Sequence, residues 1–254
     1  MTHFLPTRHL AALLCLAAGM VSLAAAAAAD NFTPQQRQAI EGVVKGYLAQ
    51  HPEVILDALQ AADAKQGAVH GTPGSAIAVH RREIFDDPAT PIGGNPQGRV
   101  SLVEFFDYRC PYCKQVEPAL DSLLRGDHDL RMVYKEFPVL GPASVTAARA
   151  ALAAQKQDKF AAFHRAMMAL KGQIDDAAVF AVAASVGLDV PRLKRDMRDS
   201  AIDQQLKANF ALADALGIDG TPGFVIGDQV VPGAIGLDDL KQLIAATRKR
   251  EGRG

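Results

Sequence analysis

Residues 99–113 read Arg99-Val100-Ser101-Leu102-Val103-Glu104-Phe105-Phe106-Asp107-Tyr108-Arg109-Cys110-Pro111-Tyr112-Cys113. The run from Arg99 to Phe106 is rich in apolar and β-forming residues and is bounded by Gly98 and Asp107, so it reads as a buried strand. The chain after Pro111 reads as a helix to about Leu124, with Val116, Leu120, Leu123 and Leu124 facing inward. Cys110 and Cys113 therefore fall on adjoining positions of a helix's first turn. Unpaired N–H groups and the positive end of the helix dipole favour a thiolate at Cys110, which can face solvent while Cys113 packs behind it. Pro111 suits the first turn, where its missing N–H costs nothing. A thiolate that attacks a disulfide forms a mixed intermediate, which the neighbouring thiol then resolves. A zinc site would need a second ligand pair, and haem attachment would put His where Lys114 stands. A strand-to-helix junction is also a poor place for an inert disulfide. The pattern predicts redox chemistry.

Working outward, Leu130 to Phe137 is a second strand, ended by Pro138. Ser144 to about Leu216 is helical in pattern, broken at Gly172 and at Gly187 to Pro191. Phe224 to Ile226 and Gln229 to Val231 read as a hairpin around Gly227-Asp228, and a last helix runs from Leu237 to about Arg248. Arg248-Lys249-Arg250 reads as solvated helix-end charge. The order strand, helix, strand, helical block, hairpin, helix is α/β with an inserted helical block. On its residues alone, Thr221-Pro222 reads as a trans turn before a strand.

At the other end, Arg8 with His3 and His9, an apolar run from Leu10 to Leu23 and an alanine tract to Ala29 have the three parts of a secretory signal. Residues 1–29 are expected to be cleaved, taking Cys15 with them and leaving Cys110 and Cys113 in an oxidising, periplasmic compartment. Thr33 is a candidate N-cap, with Pro34 next and Gln36 at the capping-box spacing. Ile40, Val43, Val44, Tyr47 and Leu48 follow on one helical face. After His51-Pro52, a second stripe of Val54, Ile55, Leu56 and Leu59 fades by Gln66. Such a helical pair cannot bury its own stripe and needs a partner surface. Gly67 to Ser75 is rich in Gly and Pro and reads as a linker, and the main domain is expected from about Arg82.

Composition narrows the class. The 254 residues are 49% hydrophobic and 22% charged with a formal net charge of -1, so no bulk basic field points to nucleic acid. Three cysteines exclude a disulfide-stapled scaffold. The seven histidines form no ligand or triad pattern, and His164 reads as partly buried structure. Asn31-Phe32-Thr33 is a formal glycosylation sequon, discounted beside Pro34. No metal site is expected.

Glu104 through Lys114, taken with Gly220-Thr221-Pro222-Gly223-Phe224-Val225-Ile226-Gly227, resembles the DsbA-like branch of the thioredoxin superfamily over roughly Arg82 to Arg248. The hundred-odd residues between Cys113 and Pro222 match that branch, which carries a helical domain there. The resemblance implies a thioredoxin-like α/β fold with a helical insertion at about 141–217 of a domain spanning 82–254. It implies Cys110 as nucleophile, Cys113 as resolving thiol and Pro222 as a cis-proline facing them. Thr221 would offer its backbone to an extended substrate, and Pro111 and Tyr112 would tune the redox potential. Glu104 matches the family's buried acid, which assists proton transfer. No cofactor is implied beyond the Cys110–Cys113 disulfide. Gln36 through Leu59 is similar to the N-terminal segment of the suppressor-of-copper-sensitivity protein C (ScsC) group. That similarity implies an oligomerisation segment over 30–66, a linker over 67–81, and a homo-oligomer, trimer or dimer, built through residues 33–66.

The function these features imply is a periplasmic thiol–disulfide oxidoreductase. Its partners would be unfolded or misoxidised exported proteins and a membrane thiol–disulfide electron-transfer protein. An oligomeric isomerase or reductase is favoured. The alternatives are a monomeric dithiol oxidase and a copper-binding tolerance factor in which the two thiolates hold Cu(I).

Overall fold

A computed structural model of the chain describes residues 32–55, 58 and 73–252. The chain divides into two units, residues 1–62 and 63–254. The expected signal segment, residues 1–29, lies outside the described residues.

The first unit contains helix α1 (Pro34–Gln50). Thr33 caps it as the spacing predicts: Gln36 N donates to Thr33 Oγ1 at 3.2 Å, and Thr33 N donates to Gln36 Oε1 at 2.8 Å. His51 ends the helix before Pro52, where the backbone is pushed out of the α region. Residues 52–55 and 58 are helical again, and the rest of the expected second helix lies outside the described residues. No residue of α1 is buried, and Ile40, Val43, Val44 and Tyr47 are all exposed, Val43 at 72%.

The second unit starts earlier than the sequence suggests. Of the linker expected at 67–81, residues 67–72 lie outside the described residues, but from Pro73 the chain is helical. Helix α2 (Pro73–Val79) leads into α3 (Arg81–Phe85). Ala76, Ile77, Ile84 and Phe85 are buried against Val103, Phe105, Val133 and Val225 of the sheet. The Gly-Pro signal at 71–75 marks a helix start rather than a free tether, and the linker reading is wrong for 73–81.

The sheet has five strands: β1 (Ile92–Gly94), β2 (Val100–Phe106), β3 (Leu130–Glu136), β4 (Gly223–Ile226) and β5 (Gln229–Pro232). Their order is β1-β3-β2-β4-β5, with β2 parallel to β3 and the other pairs antiparallel. β1 has three residues, two of them glycine, and so carries no alternation to read from sequence. Successive side chains point to opposite faces. Val100, Leu102 and Phe106 of β2 pack with Leu130, Met132 and Tyr134 under helix α4 (Pro111–Gly126) and helix α10 (Leu237–Glu251). Val103 and Phe105 lie on the other face, with α2, α3 and the end of α9 (Ser200–Ala215). Both faces are covered, which is why β2 carries apolar residues in both phases of the strand, Val100, Leu102 and Phe106 on one and Val103 and Phe105 on the other.

Between β3 and β4 lies the helical insertion: α5 (Pro142–Gln155), α6 (Phe160–Ala169), α7 (Asp176–Ser185), α8 (Val190–Asp196) and then α9. Ala147, Ala148, Ala150, Ala151, Ala153 and Ala154 of α5 are all buried, so this helix is covered on nearly every side. Pro191, expected in a break, sits instead in the first turn of α8, where its ring is tolerated and Asp189 caps Arg192 N. The break at 197–199 has no Gly or Pro; Asp199 makes it by capping α9 through Ala201 N. Gly227 turns the β4–β5 hairpin at φ +61°. The basic tail is not simply solvated: Arg248 pairs with Asp127 at 2.9 Å and Asp129 at 3.4 Å, and Arg250 pairs with Asp228 at 2.9 Å.

Because Ile77 packs into the core, Ile77→Ala should cost about 2–4 kcal/mol. Urea unfolding of the full chain checks this; an unchanged midpoint would return residues 73–79 to the linker.

Candidate active site

Cys110 is the N-cap of α4, extended at φ −71° and ψ 118°, with Pro111 opening the helix. Asp107 sets this corner. Its main-chain oxygen accepts from Cys110 N at 3.0 Å, while its carboxylate accepts from Arg109 N at 2.7 Å and Leu140 N at 3.0 Å. The Arg109 guanidinium also donates to the carbonyl of Leu140.

The pairing of β2 with β4 sets Glu104 opposite Phe224 and Phe105 opposite Gly223. The Thr221-Pro222 segment that enters β4 thereby lies against the start of α4. The Thr221-Pro222 peptide bond is cis, against the reading of its residues alone. Cys110 Sγ donates to the Thr221 carbonyl at 3.1 Å. Cys110 is consequently buried, 4% exposed, and not open to solvent as its place at a helix start suggests. The exposed member of the tetrad is Tyr112, at 59%. The two cysteines are unbridged thiols. Gly223, which follows the cis bond, leaves room for Ile218, whose Cγ2 a Cβ there would meet at 2.6 Å.

Cys113 is fully buried, and burial with Glu104 nearby pushes its thiol well above the ordinary range. Glu104 is also fully buried, and neither carboxylate oxygen has a hydrogen-bond partner. Desolvation first, then the charges of Glu117 and Cys110, raise its pKa well above the ordinary 4.5. The structure thus brings Cys110, Cys113, Glu104, Thr221, Pro222 and Pro111 to one corner.

Beside that corner runs a groove of about 660 Å³ lined by Arg109, Pro111, Lys114, Met168, Leu170 and Ile174. Lys114 Nζ donates to Leu170 O at 2.5 Å and Met167 O at 3.3 Å, fastening α4 to the end of α6. Among the described residues, no group of three or more His, Cys, Asp or Glu is placed to hold a metal ion.

Sequence reasoning missed a second buried polar set. Tyr108, Glu136 and His164 are all at most 1% exposed. Tyr108 Oη lies 3.1 Å from both Glu136 Oε1 and His164 Nδ1, and His164 Nε2 lies 3.5 Å from Glu117 Oε2. Burial drives the Glu136 carboxyl up, as it does Glu104. The signal was present in the phase of β3, since Glu136 falls in step with Met132 and Tyr134, which face the core.

The model of the DSBA-like thioredoxin domain matches residues 101–245, and that of the copper resistance protein ScsC N-terminal domain matches 36–68. A thioredoxin-like oxidoreductase from Silicibacter pomeroyi DSS-3 is 43% identical, with TM-score 0.66, over 66% of this chain and 98% of its own. ScsC from Proteus mirabilis, crystallised in a transitional conformation, is 29% identical with TM-score 0.65 over 86% of this chain and 100% of its own. A periplasmic thioredoxin-like protein from Salmonella enterica serovar Typhimurium is 30% identical, with TM-score 0.61, over 66% of this chain and 95% of its own. The first curated relatives are Na(+)/H(+) antiporters. This chain spans about a quarter of their length, as with NhaA 1 of Salinispora arenicola, 29% identical over 63% of this chain and 25% of the antiporter.

The raised pKa of Glu104 has a pH signature. Below about 4.5 the acid is protonated folded or unfolded, and the folded state keeps its full stability. As pH rises, the unfolded chain ionises while the buried acid holds its proton, so stability is lost up through the folded-state pKa. Glu104→Gln should lack that loss, and its advantage over the wild type should widen from about pH 4.5 upward. Urea midpoints across pH check it; a constant difference would mean an ordinary carboxyl.

Proposed function

Because the chain belongs to the family of DSBA-like thioredoxin domains, we propose that it is a periplasmic thiol–disulfide oxidoreductase acting on cysteines of exported proteins as an oligomeric isomerase or reductase. The observation that carries the reading is the corner itself, where a cysteine caps a helix against the Thr221 carbonyl with a fully buried second thiol behind it.

In this reading Cys110 attacks a substrate disulfide as the thiolate, stabilised by the unpaired N–H groups of the first turn. One substrate sulfur leaves as a thiolate, and Cys110 is joined to the other. Cys113 then loses its proton and attacks Cys110 Sγ, closing the Cys110–Cys113 disulfide and releasing the second substrate thiolate. In isomerisation a substrate thiolate attacks the mixed disulfide instead and regenerates Cys110. The substrate's extended chain would lie along Thr221 and Pro222, with Pro111 and Tyr112 against it and its flank in the groove between Arg109 and Ile174. Glu104 is the acid that faces the departing proton. The redox group is the cysteine pair itself. A membrane thiol–disulfide partner would return it to the dithiol.

The oligomer is supported by α1, whose apolar residues have no cover within the described unit, and by the ScsC N-terminal match across 36–68. A periplasmic location is supported by the basic-apolar-alanine opening of the chain and by the Salmonella neighbour. Copper tolerance has less support: the corner offers two sulfur donors, and one of them is fully buried.

Reactivation of ribonuclease with scrambled disulfides tests the reading. The chain from residue 30 should reactivate it and should scatter light as a multimer. Val43→Glu with Tyr47→Glu should give a monomer that still exchanges with small disulfides but no longer reactivates the ribonuclease. A monomeric wild type that oxidises reduced peptides and leaves scrambled ribonuclease untouched would establish the oxidase instead. Cys110→Ser should abolish every one of these activities.

A further inference from the structure

The resolving step leaves a proton in the protein's interior. Cys113 is fully buried, and so is Glu104, the acid beside it. For each substrate disulfide reduced, the Cys113 thiol gives up one proton before its sulfur attacks Cys110. That proton must reach bulk water from a group that has no solvent-exposed surface of its own.

We propose that Glu136, Tyr108, His164 and Glu117 form a proton relay that carries it from the interior to the cleft beside α4. This rests on the functional reading above. Glu136 and Glu104 point to the same face of the sheet, on the parallel strands β3 and β2, where Glu104 pairs with Tyr134 and Phe106 with Glu136. Glu136 Oε2 is buried and unpartnered, as are both oxygens of Glu104. From Glu136 Oε1 the contacts run 3.1 Å to Tyr108 Oη and 3.1 Å on to His164 Nδ1. His164 Nε2 has no hydrogen-bond partner, and Glu117 Oε2 stands 3.5 Å from it. The Glu117 side chain is 16% exposed and lines a surface cleft with Lys114, Asp121 and Arg165.

A tyrosine between a carboxyl and an imidazole can hold its hydrogen bonds in either direction. With Glu136 protonated, its O–H donates to Tyr108 Oη, and Tyr108 donates to His164 Nδ1. Passing each proton one step along leaves Glu136 ionised and Nδ1 protonated, while the Nε2 proton goes to the Glu117 carboxylate. The balance is one proton in at Glu136 and one out at Glu117, which releases it to solvent. The ionised Glu136 then draws the proton held by Glu104, the other unpartnered acid on that face of the sheet, and the Glu104 carboxylate so formed takes the proton that Cys113 loses. Other groups face the wire. Tyr134 of β3 stands 4.7 Å ring to ring from His164. Asp107 acts on Glu136, and Arg165 and Asp121 act on Tyr134. Asn209 of α9 holds the main-chain oxygen of Glu136.

The test follows the two steps separately with oxidised glutathione and the full chain, quenching with acid and weighing the protein–glutathione adduct. In Tyr108→Phe and Glu136→Gln the adduct should form within about twofold of the wild-type rate, yet persist on the order of a hundredfold longer, the low end of what a positioned proton acceptor contributes. Its decay should also become proportional to hydroxide concentration. Adduct lifetimes and pH profiles equal to wild type in these variants would overturn the relay. Should neither variant fold, the decay rate of the wild-type adduct in mixtures of light and heavy water decides: a bowed dependence supports several protons in flight, and a straight line overturns the relay. No adduct at all on wild-type protein would overturn the functional reading, and the relay with it.

Discussion

The pairing of β2 with β4 is the constraint on which the rest depends. Cys110 and Thr221 are 111 residues apart, and the sulfur lies 3.1 Å from the carbonyl because the two segments are fixed at the ends of neighbouring strands. β2 is the central strand, held on one side by parallel β3 and on the other by antiparallel β4. It is paired along both edges, and both of its faces are covered. A slip of one residue would turn Glu104 to the opposite face and exchange Leu102 and Phe106 with Val103 and Phe105 between two differently packed faces. The register that secures the core is therefore also the register that secures the site. The insertion between the two strands can be long because it has only to return the chain to this fixed pairing.

The interior near the thiols is polar in an unusual way. Two carboxyls, Glu104 and Glu136, lie under a sheet face otherwise made of Leu102, Phe106, Met132 and Tyr134, and three of their four oxygens lack partners. Burying an unpaired polar group costs about 1–3 kcal/mol on mutational scales. A domain with a core of this size tolerates that, and in return has groups that change charge only when something close to them does. Lys135, one position away on β3, shows the structural use of a buried charge: its Nζ donates to Glu83 O at 2.6 Å and Thr90 Oγ1 at 2.7 Å, with Asp87 at 3.6 Å. It is fully partnered on the opposite face. The two acids differ from it in being left open.

Much of this was legible in the chain. The strand–helix junction at 99–113, the second strand, the helical block, the hairpin at Gly227 and the Thr33 capping box all follow from periodicity and turn chemistry. Other features depend on contacts that no local window contains. The burial of Cys110 comes from Thr221, which spacing alone cannot place. The cis state of Thr221-Pro222 contradicts the reading of its own dipeptide and was reached through family resemblance. The helix at 73–79 hides behind a Gly-Pro signal, because a helix start and a loop use the same residues there. His164 and Glu136 each look ordinary in their own element, and their meeting at Tyr108 joins positions 56 and 28 residues apart.

Helix α5 has a further consequence, for how such a chain can diversify. Six of its alanines are already enclosed, so almost every replacement there enlarges a side chain against packed neighbours. The middle of the insertion is in effect closed to variation. Its rim near 168–174 borders the groove and is held by the buried side chains of Met168 and Ile174 and by the carbonyls of Met167 and Leu170, both taken by Lys114. The exposed side chains of that rim, Ala169, Lys171 and Gln173, can be exchanged without disturbing what fastens it. New preferences for partner proteins would therefore accumulate at the edge of the helical block, around an unvarying axle of small residues.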